Sequence, residues 1–519
     1  MLTGNLLRFS RGNNSRLTFV EVLAVLSFVV VVVVSVWRQE GQTNLRPIDP
    51  KNLDLGPSSS EWFGVYFEED KIGYAVTSRV PIADGSLLVN SEAAYTIAAL
   101  GTITETVLAS SALLDENREL IQFDFYMAAD PVRIGASGEV RGDELYVELH
   151  QGGETQSLSL PIDATPQLSL SLGAWIESNI ELAEGISWEV PYFDPVTLSS
   201  QTMLFSVVGT EILEDGEEAY WIAREVSGVQ TRTLVTPSGQ TLREESPFGF
   251  SMVRESAEEA RSMPDGSPVV DLIEISMVDL DGRVLVSDSQ ASFVVSGVSA
   301  QRFMNTPPLQ TIDGDVVRTN VPDITGAGDV AVEATGSEYA EYLVSTPFIP
   351  VDHRIIQEQS AEITDGIVGR VAATRALVDW VYGYLEKRST VGIPNALEVL
   401  DVGQGDCNEH TVLFVALARA AGIPTKTVAG MVFLPNSDSA PEQAEVPMAG
   451  SFYYHAWPEV YMGEDIGWLA VDPTFGEFPA NSTHLKVVEG GLNKQTEIMG
   501  MLGQVSLSVE RVEDEEEDL

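Results

Sequence analysis

Apolar residues in this 519-residue chain change their spacing near residue 336, and that change limits the fold more than any other feature. From Glu61 to about Ser299 the sequence is a run of short segments such as "VYFEEDKIGYAVTSRV", "LIQFDFYMA" and "GDELYVELH", separated by Gly, Asp or Pro. Strand side chains alternate between faces, so this period of two predicts an all-β region, a sandwich or a curved open sheet. It serves as scaffold or binding module, and His150 at the end of one segment is an incidental polar residue. The loop-like stretch Asn305 to Asp329 follows. Beyond it the period becomes 3.6. In "DGIVGRVAATRALVDWVYGYLEKR", Ile367, Val368, Val371, Leu377, Val378, Val381 and Leu385 fall on one face of an amphipathic helix, which makes Trp380 a packing residue.

The N-terminus has its own signature. Arg8, Arg11 and Arg16 precede "LTFVEVLAVLSFVVVVVVSVW", Leu17 to Trp37, which carries one charge, Glu21. Such a run is long enough for a bilayer core of about 30 Å at about 1.5 Å per residue. The arginine bias predicts an N-in orientation, and "SVWRQEG" offers no small-x-small cleavage site. An uncleaved signal-anchor is therefore expected, with the bulk of the chain extracytoplasmic, periplasmic or extracellular. The expected fold class is α+β. Its parts are a cytoplasmic N-terminus (1–16), a transmembrane helix (17–37), a linker (38–60), the large all-β region (61–300), a second linker (301–335), a C-terminal α+β domain (336–490) and an acidic tail (491–519) that ends in "VEDEEEDL".

Charge excludes one class of function. With 29 basic and 78 acidic residues the formal net charge is −49, which repels nucleic acid. A carboxylate-rich surface also suits a salty or cation-rich medium. No EF-hand spacing is present, and "PNSDSAPEQAEVP" reads as a solvated acidic loop, so no metal is expected.

One cysteine, Cys407, stands in "GQGDCNEHTVLFVALARAAGIP". The segment after it is apolar nearly all round, so it predicts a buried helix ended by Gly422 and Pro424. A helix N-terminus favours thiolate over thiol. Asp406 acts against this if its charge faces the sulfur, and helps the helix if it caps it. A thiol nucleophile needs a base, and the base needs an orienting group. Downstream, "YYHAWPEVY" and "GWLAVDP" flank "MGED" and predict a hairpin. With the turn centred between Gly463 and Glu464, His455 lies opposite Asp472 on one face. A one-residue slip would separate them. Pro458 implies an open side on the first strand. His410, three residues after Cys407 on the same helix face, is a weaker rival base. His353 and His484 show no partner pattern and read as surface or packing residues.

The Cys helix with its "GIP" exit, "HAWPEVY" and "GWLAVDPT" together resemble the transglutaminase-like superfamily, over roughly Glu338 to Glu489. The resemblance implies a papain-like thiol fold without a cofactor. It also implies Cys407 as nucleophile, His455 as general base and later acid, and Asp472 as the residue orienting His455. Gln404 and Trp457 are candidates for a second oxyanion donor beside the Cys407 N–H. The expected function is attack on an amide or isopeptide carbonyl of a peptide or protein, cell-envelope material among the candidates, with hydrolysis of the resulting thioester. The alternatives are a protein-glutamine acyltransferase that forms cross-links, and a non-catalytic envelope binding module.

Overall fold

The structure, a computed structural model, describes residues 47–510 apart from 100–101, 131, 227–228, 247–248, 265–269, 272–276, 326–336, 389–393, 437–445 and seven positions between 492 and 502. The expected membrane span at 17–37 and the acidic run at 512–519 lie outside the described residues. Among the described residues no helix is long and apolar enough to cross a membrane. The single-pass, extracytoplasmic placement expected from the sequence is thus not supported by the structure. The α+β expectation is also corrected, because 49% of residues are in strands against 18% in helices. The strands form a fifteen-stranded sheet and a nine-stranded one, and the second joins strands of the region expected to be all-β to strands of the expected C-terminal domain.

A first, fifteen-stranded sheet accounts for the period-two sequence. Two antiparallel meanders meet where Ser59–Phe67 pairs with Phe250–Glu255, Trp62 opposite Glu255. One meander runs from that seam to Glu154–Pro161, and the other from Phe250–Glu255 back to Ser187–Asp194. All of these strands are hydrogen-bonded into one sheet, so the region is not a two-sheet sandwich. Alternation is visible strand by strand. Glu144–Gln151 buries Leu145, Val147 and Leu149, and Ser199–Ile212 buries Met203, Phe205 and Val207. Each such side chain contributes about 1.5–3 kcal/mol relative to exposure, which fixes which face of the strand turns inward. The helix Leu172–Asn179 lays Leu172, Ala174 and Ile176 on the cores so formed.

The second sheet places Gly450–Tyr461 beside Thr425–Pro435, with His484–Glu489 on the far side of the latter. Its other half is built from Val278–Asp281, Gln290–Ser296, Gln310–Asp313 and Val316–Asn320. The chain end supplies Ser506–Val509, which inserts between Val278–Asp281 and Gln290–Ser296. Two expectations change accordingly. The stretch read as a linker at 301–335 contains two paired strands, and the stretch read as a tail at 491–519 contains another. All three strands are short, only four or five residues each, so alternation within them is too brief to register.

Among the described residues, the helices Arg354–Ile363, Arg370–Tyr384 and Ala396–Val402 pack around the helix Cys407–Ala420, which itself lies on the sheet. This central helix is the core of the group, with every residue from Glu409 to Ala418 buried. Its exit follows the sequence, since Gly422 takes a φ of +85° and the Ile423 N–H reaches back to the Ala418 carbonyl at 2.9 Å. The amphipathic helix starts later than its apolar pattern implies. Gly369 precedes its first turn, so Ile367 and Val368 lie outside it and Val368 is 79% exposed, while Leu377, Val378 and Val381 are fully buried.

Candidate active site

The turn before Cys407 is organised by Asp406. Its carboxylate accepts the N–H groups of Asn408, at 2.9 Å, and of Glu409, while the Glu409 carboxylate accepts the Asp406 N–H at 2.8 Å. This capping box satisfies first-turn donors that would otherwise be unpaired. Gly405 is required for it, because a Cβ there would stand 2.2 Å from the Cβ of Glu409. The Cys407 N–H is the first-turn donor that Asp406 does not take. Asp406 thus caps the helix, and it also acts on the thiol. Burial chiefly, then the negative charge of Asp406, and to a lesser degree those of Glu409 and Asp472, push the Cys407 pKa well above its ordinary value, while a hydrogen bond from the Ala456 N–H opposes them. Together these influences favour the thiol over the thiolate.

That hydrogen bond locates Cys407 against the sheet. Gly450–Tyr461 is paired along its whole length with Thr425–Pro435 on one side. On the other it meets Val278–Asp281 only at residues 451–452 and Trp468–Ala470 only at 459–461, so its middle has an open edge. The start of the Cys helix fills that gap. Ala456 donates its N–H to the Cys407 sulfur and accepts from Thr411 Oγ1 at 3.0 Å. Pro458, which has no N–H to offer, sits on the same open stretch, and its carbonyl accepts from Val471 at 3.1 Å. The thiol therefore lies against the peptide that joins His455 to Ala456.

The expected hairpin forms, with a different register. Glu459 pairs with Ala470, Val460 with Leu469 and Tyr461 with Trp468, so the turn centres between Glu464 and Asp465. The loop is closed by Met462 N–H to Gly467 O at 2.8 Å and Gly467 N–H to Gly463 O at 2.7 Å, which makes it longer than a tight two-residue turn. The pairing is displaced by two residues, and a shift of two preserves the face. Asp472 has left the strand by then and forms an isolated bridge with Glu477, yet its Oδ2 still meets His455 Nε2 at 2.7 Å. Its other oxygen accepts the N–H groups of Thr474 at 2.7 Å and Phe475 at 3.2 Å. Asp472 is fully buried. Burial alone would raise its pKa, but the charge and hydrogen bond of His455 and the hydrogen bond and charge of His484 outweigh it and hold the carboxyl far below its usual range. Phe475 stacks on the His455 ring at 5.0 Å and fixes its plane.

His484 is the residue that sequence reasoning missed. It is buried, and its Nε2 lies 3.0 Å from the same Oδ2 that His455 uses. The packing role expected for it is corrected to a polar one, created when the loop after Asp472 folds back and starts a new strand at His484. The three donor atoms lie within 4.8 Å of one another. However, both imidazoles sit at hydrogen-bond distance from one oxygen, and a metal ion at about 2.0–2.2 Å from all three would have to open that arrangement.

The remaining predicted residues fall as follows. Gln404 lies in the two-residue strand Gln404–Gly405, which precedes Cys407 and pairs with Glu386–Lys387, its Oε1 accepting from Arg388 at 3.3 Å. Trp457 is 1% exposed and stacks behind His455 at 6.1 Å, edge-on to His484. Its indole packs against both histidines. His410 is buried, bonds through Nδ1 to the Asp406 carbonyl at 2.6 Å, and has its pKa lowered, chiefly by burial. His353 caps the helix Arg354–Ile363, and His150 bonds to Thr155 at 2.9 Å.

Cys407 thus stands on the first turn of a buried helix, against the strand that carries His455, whose ring is held by the buried Asp472 carboxylate. Residues 357–473 match the Transglutaminase-like superfamily and form a domain of that superfamily. No curated protein matches the chain. Among solved structures, it is similar to one titled "a Putative Cysteine Protease from Cytophaga hutchinsonii", at 17% identity over 45% of this chain and 82% of that one, TM-score 0.28. It is also similar to a "Beta-barrel-like Protein" of a domain of unknown function from Brucella abortus, at 12% identity over 39% of this chain and 96% of that one, TM-score 0.31. A third, "a Putative Protease from Parabacteroides distasonis", shares 11% identity over 75% of this chain and 64% of that one, TM-score 0.18.

Proposed function

We propose that this chain hydrolyses amide or isopeptide bonds of peptide or protein substrates through a thioester on Cys407. The observation that carries this reading is the 2.7 Å contact between His455 Nε2 and Asp472 Oδ2. Because Asp472 occupies Nε2, it leaves Nδ1 as the nitrogen available to the thiol. His455 then acts as general base at the moment of attack, because burial and the Asp406 charge favour the thiol over the thiolate. The sulfur adds to the carbonyl carbon as its proton passes to His455, and the C=O π electrons move to oxygen. The Cys407 N–H and the Gln404 side-chain amide are the donors for that oxyanion. Collapse expels the amine, which takes the proton from His455, and leaves the thioester. Water attacks next, giving a proton to His455, and the carboxylic acid departs as the thiol is restored.

The test is a peptide and isopeptide library incubated with the full chain, Cys407→Ala and His455→Ala, read by mass spectrometry. Cleavage or deamidation products that require Cys407 and His455 support the proposal. Incorporation of an added primary amine in place of water would make the protein an acyltransferase. Identical product patterns in all three proteins, or none, would leave only a binding role.

A further inference from the structure

His484 has acceptors on both sides of its ring. Nε2 faces Asp472 Oδ2 at 3.0 Å, and Nδ1 faces the main-chain carbonyl of Asn481 at 3.1 Å. A carbonyl oxygen cannot donate, and a carboxylate that also receives His455 Nε2 and two backbone N–H groups is an acceptor only. Both ring nitrogens must therefore carry hydrogen. A neutral imidazole has one N–H, so satisfying both contacts requires the cation.

We infer that His484 is a fixed imidazolium that neutralises Asp472, and that it thereby sets the pH range over which the Cys407–His455 pair holds its one shared proton. The role in setting that range rests on the proposed thiol chemistry, and the charge on His484 does not. With His484 charged, the buried carboxylate and its neighbour sum to zero, and His455 is oriented by a hydrogen bond without a full negative charge beneath it. His484 is a positioning residue. It touches neither thiol nor substrate and acts through Asp472. The groups around it agree with this assignment. The loop after Asp472 brings Glu477, whose carboxylate is bound by Asn481. Gly450–Tyr461 brings His455, with ring centres 5.8 Å apart, and Glu459. Lys486 on its own strand is paired with Glu459 at 2.7 Å and Glu489 at 3.1 Å, so it adds little positive charge. From the Cys helix, Cys407 and His410 both feel the Asp472 charge. Burial pushes His484 toward neutrality, but the hydrogen bond and charge of Asp472, with Glu477, more than offset it and raise its pKa.

Two measurements test this. Nitrogen-15 spectra of histidine-labelled full-length Cys407→Ser should show both His484 nitrogens protonated at neutral pH, above the ordinary histidine value of about 6.5. A single protonated nitrogen at neutral pH overturns the inference, and no activity is needed to see it. In the active chain, His484→Gln keeps an N–H for Asp472 but removes the charge. Losing a nearby positive charge favours every protonated form, so both limbs of the pH profile for Cys407 alkylation should move upward. The Coulomb shift at the observed ring separation, in a medium of effective dielectric about 20, is up to about two pH units. Unmoved limbs in a folded His484→Gln protein would overturn the regulatory half. A doubly protonated His484 in a chain without thiol reactivity would leave the charge assignment standing and overturn the functional reading.

Discussion

Replacing Asp472 by Asn alters one atom and tests the site most directly. The amide Oδ1 can still accept the Thr474 and Phe475 N–H groups, so the turn is retained. Its NH2, however, takes the place of the Oδ2 that now receives His455 and His484. An N–H donor facing His455 Nε2 forces the proton onto Nδ1, the nitrogen that must accept from the thiol. The charge-assisted bond lost at 2.7 Å is worth about 1.5–3 kcal/mol, and at about 1.4 kcal/mol per factor of ten this is about a 10- to 150-fold loss. Removing the Asp472 charge also lowers the thiol pKa, which works in the opposite direction, but Asp472 is the smallest of the influences raising it. The orientation effect wins. The second-order rate of iodoacetamide alkylation of Cys407 at neutral pH should therefore fall about 10- to 150-fold, and hydrolysis should fall further because the wrong tautomer cannot act as base. Near-UV circular dichroism establishes that the variant is folded. An alkylation rate within twofold of the unmodified chain would refute the reasoning.

Other consequences are as direct. Asp406→Asn keeps a good capping residue but removes the second-largest influence raising the Cys407 pKa. Alkylation at a fixed neutral pH should rise about three- to tenfold, with melting nearly unchanged, whereas Asp406→Ala should cost about 0.5–2 kcal/mol by denaturant unfolding. Gly405→Ala forces a Cβ against Glu409 and should cost about 1–3 kcal/mol, together with a slower alkylation rate as the capping box opens. His484 has a raised pKa in the folded chain, so the stability gained from its protonation is full below about pH 6.5 and is lost as pH rises through the folded value. The melting-temperature deficit of His484→Gln should accordingly be larger near pH 5.5 than near pH 9, as scanning calorimetry would show. A deficit independent of pH would contradict a charged His484.

The parts of this protein written in contiguous residues are legible in the amino-acid sequence alone. Alternation along Glu144–Gln151 states which face is buried, and the apolar run after Cys407 states that its helix is central, because both depend on side-chain periods of a single element. The parity of His455 and Asp472 is legible for the same reason. The register expected from the sequence is two residues off, since the true turn spans Gly463 to Ile466 and loop length is weakly encoded by "MGED". The direction of Asp406 follows from its capping box with Glu409, a local pattern that gains meaning only once the helix start is fixed.

What the sequence determined by itself is the succession of a β-rich region and a helix-bearing one, and the pairing of His455 with Asp472. Tertiary structure alone decided that residues 278–320 and 506–509 complete the second sheet, that an open edge at Ala456 receives the thiol, and that His484 shares Asp472. Each of these is a pairing between segments distant in sequence. Such pairings depend on which strand edge is free and where a loop returns, and no periodicity within either partner carries that information.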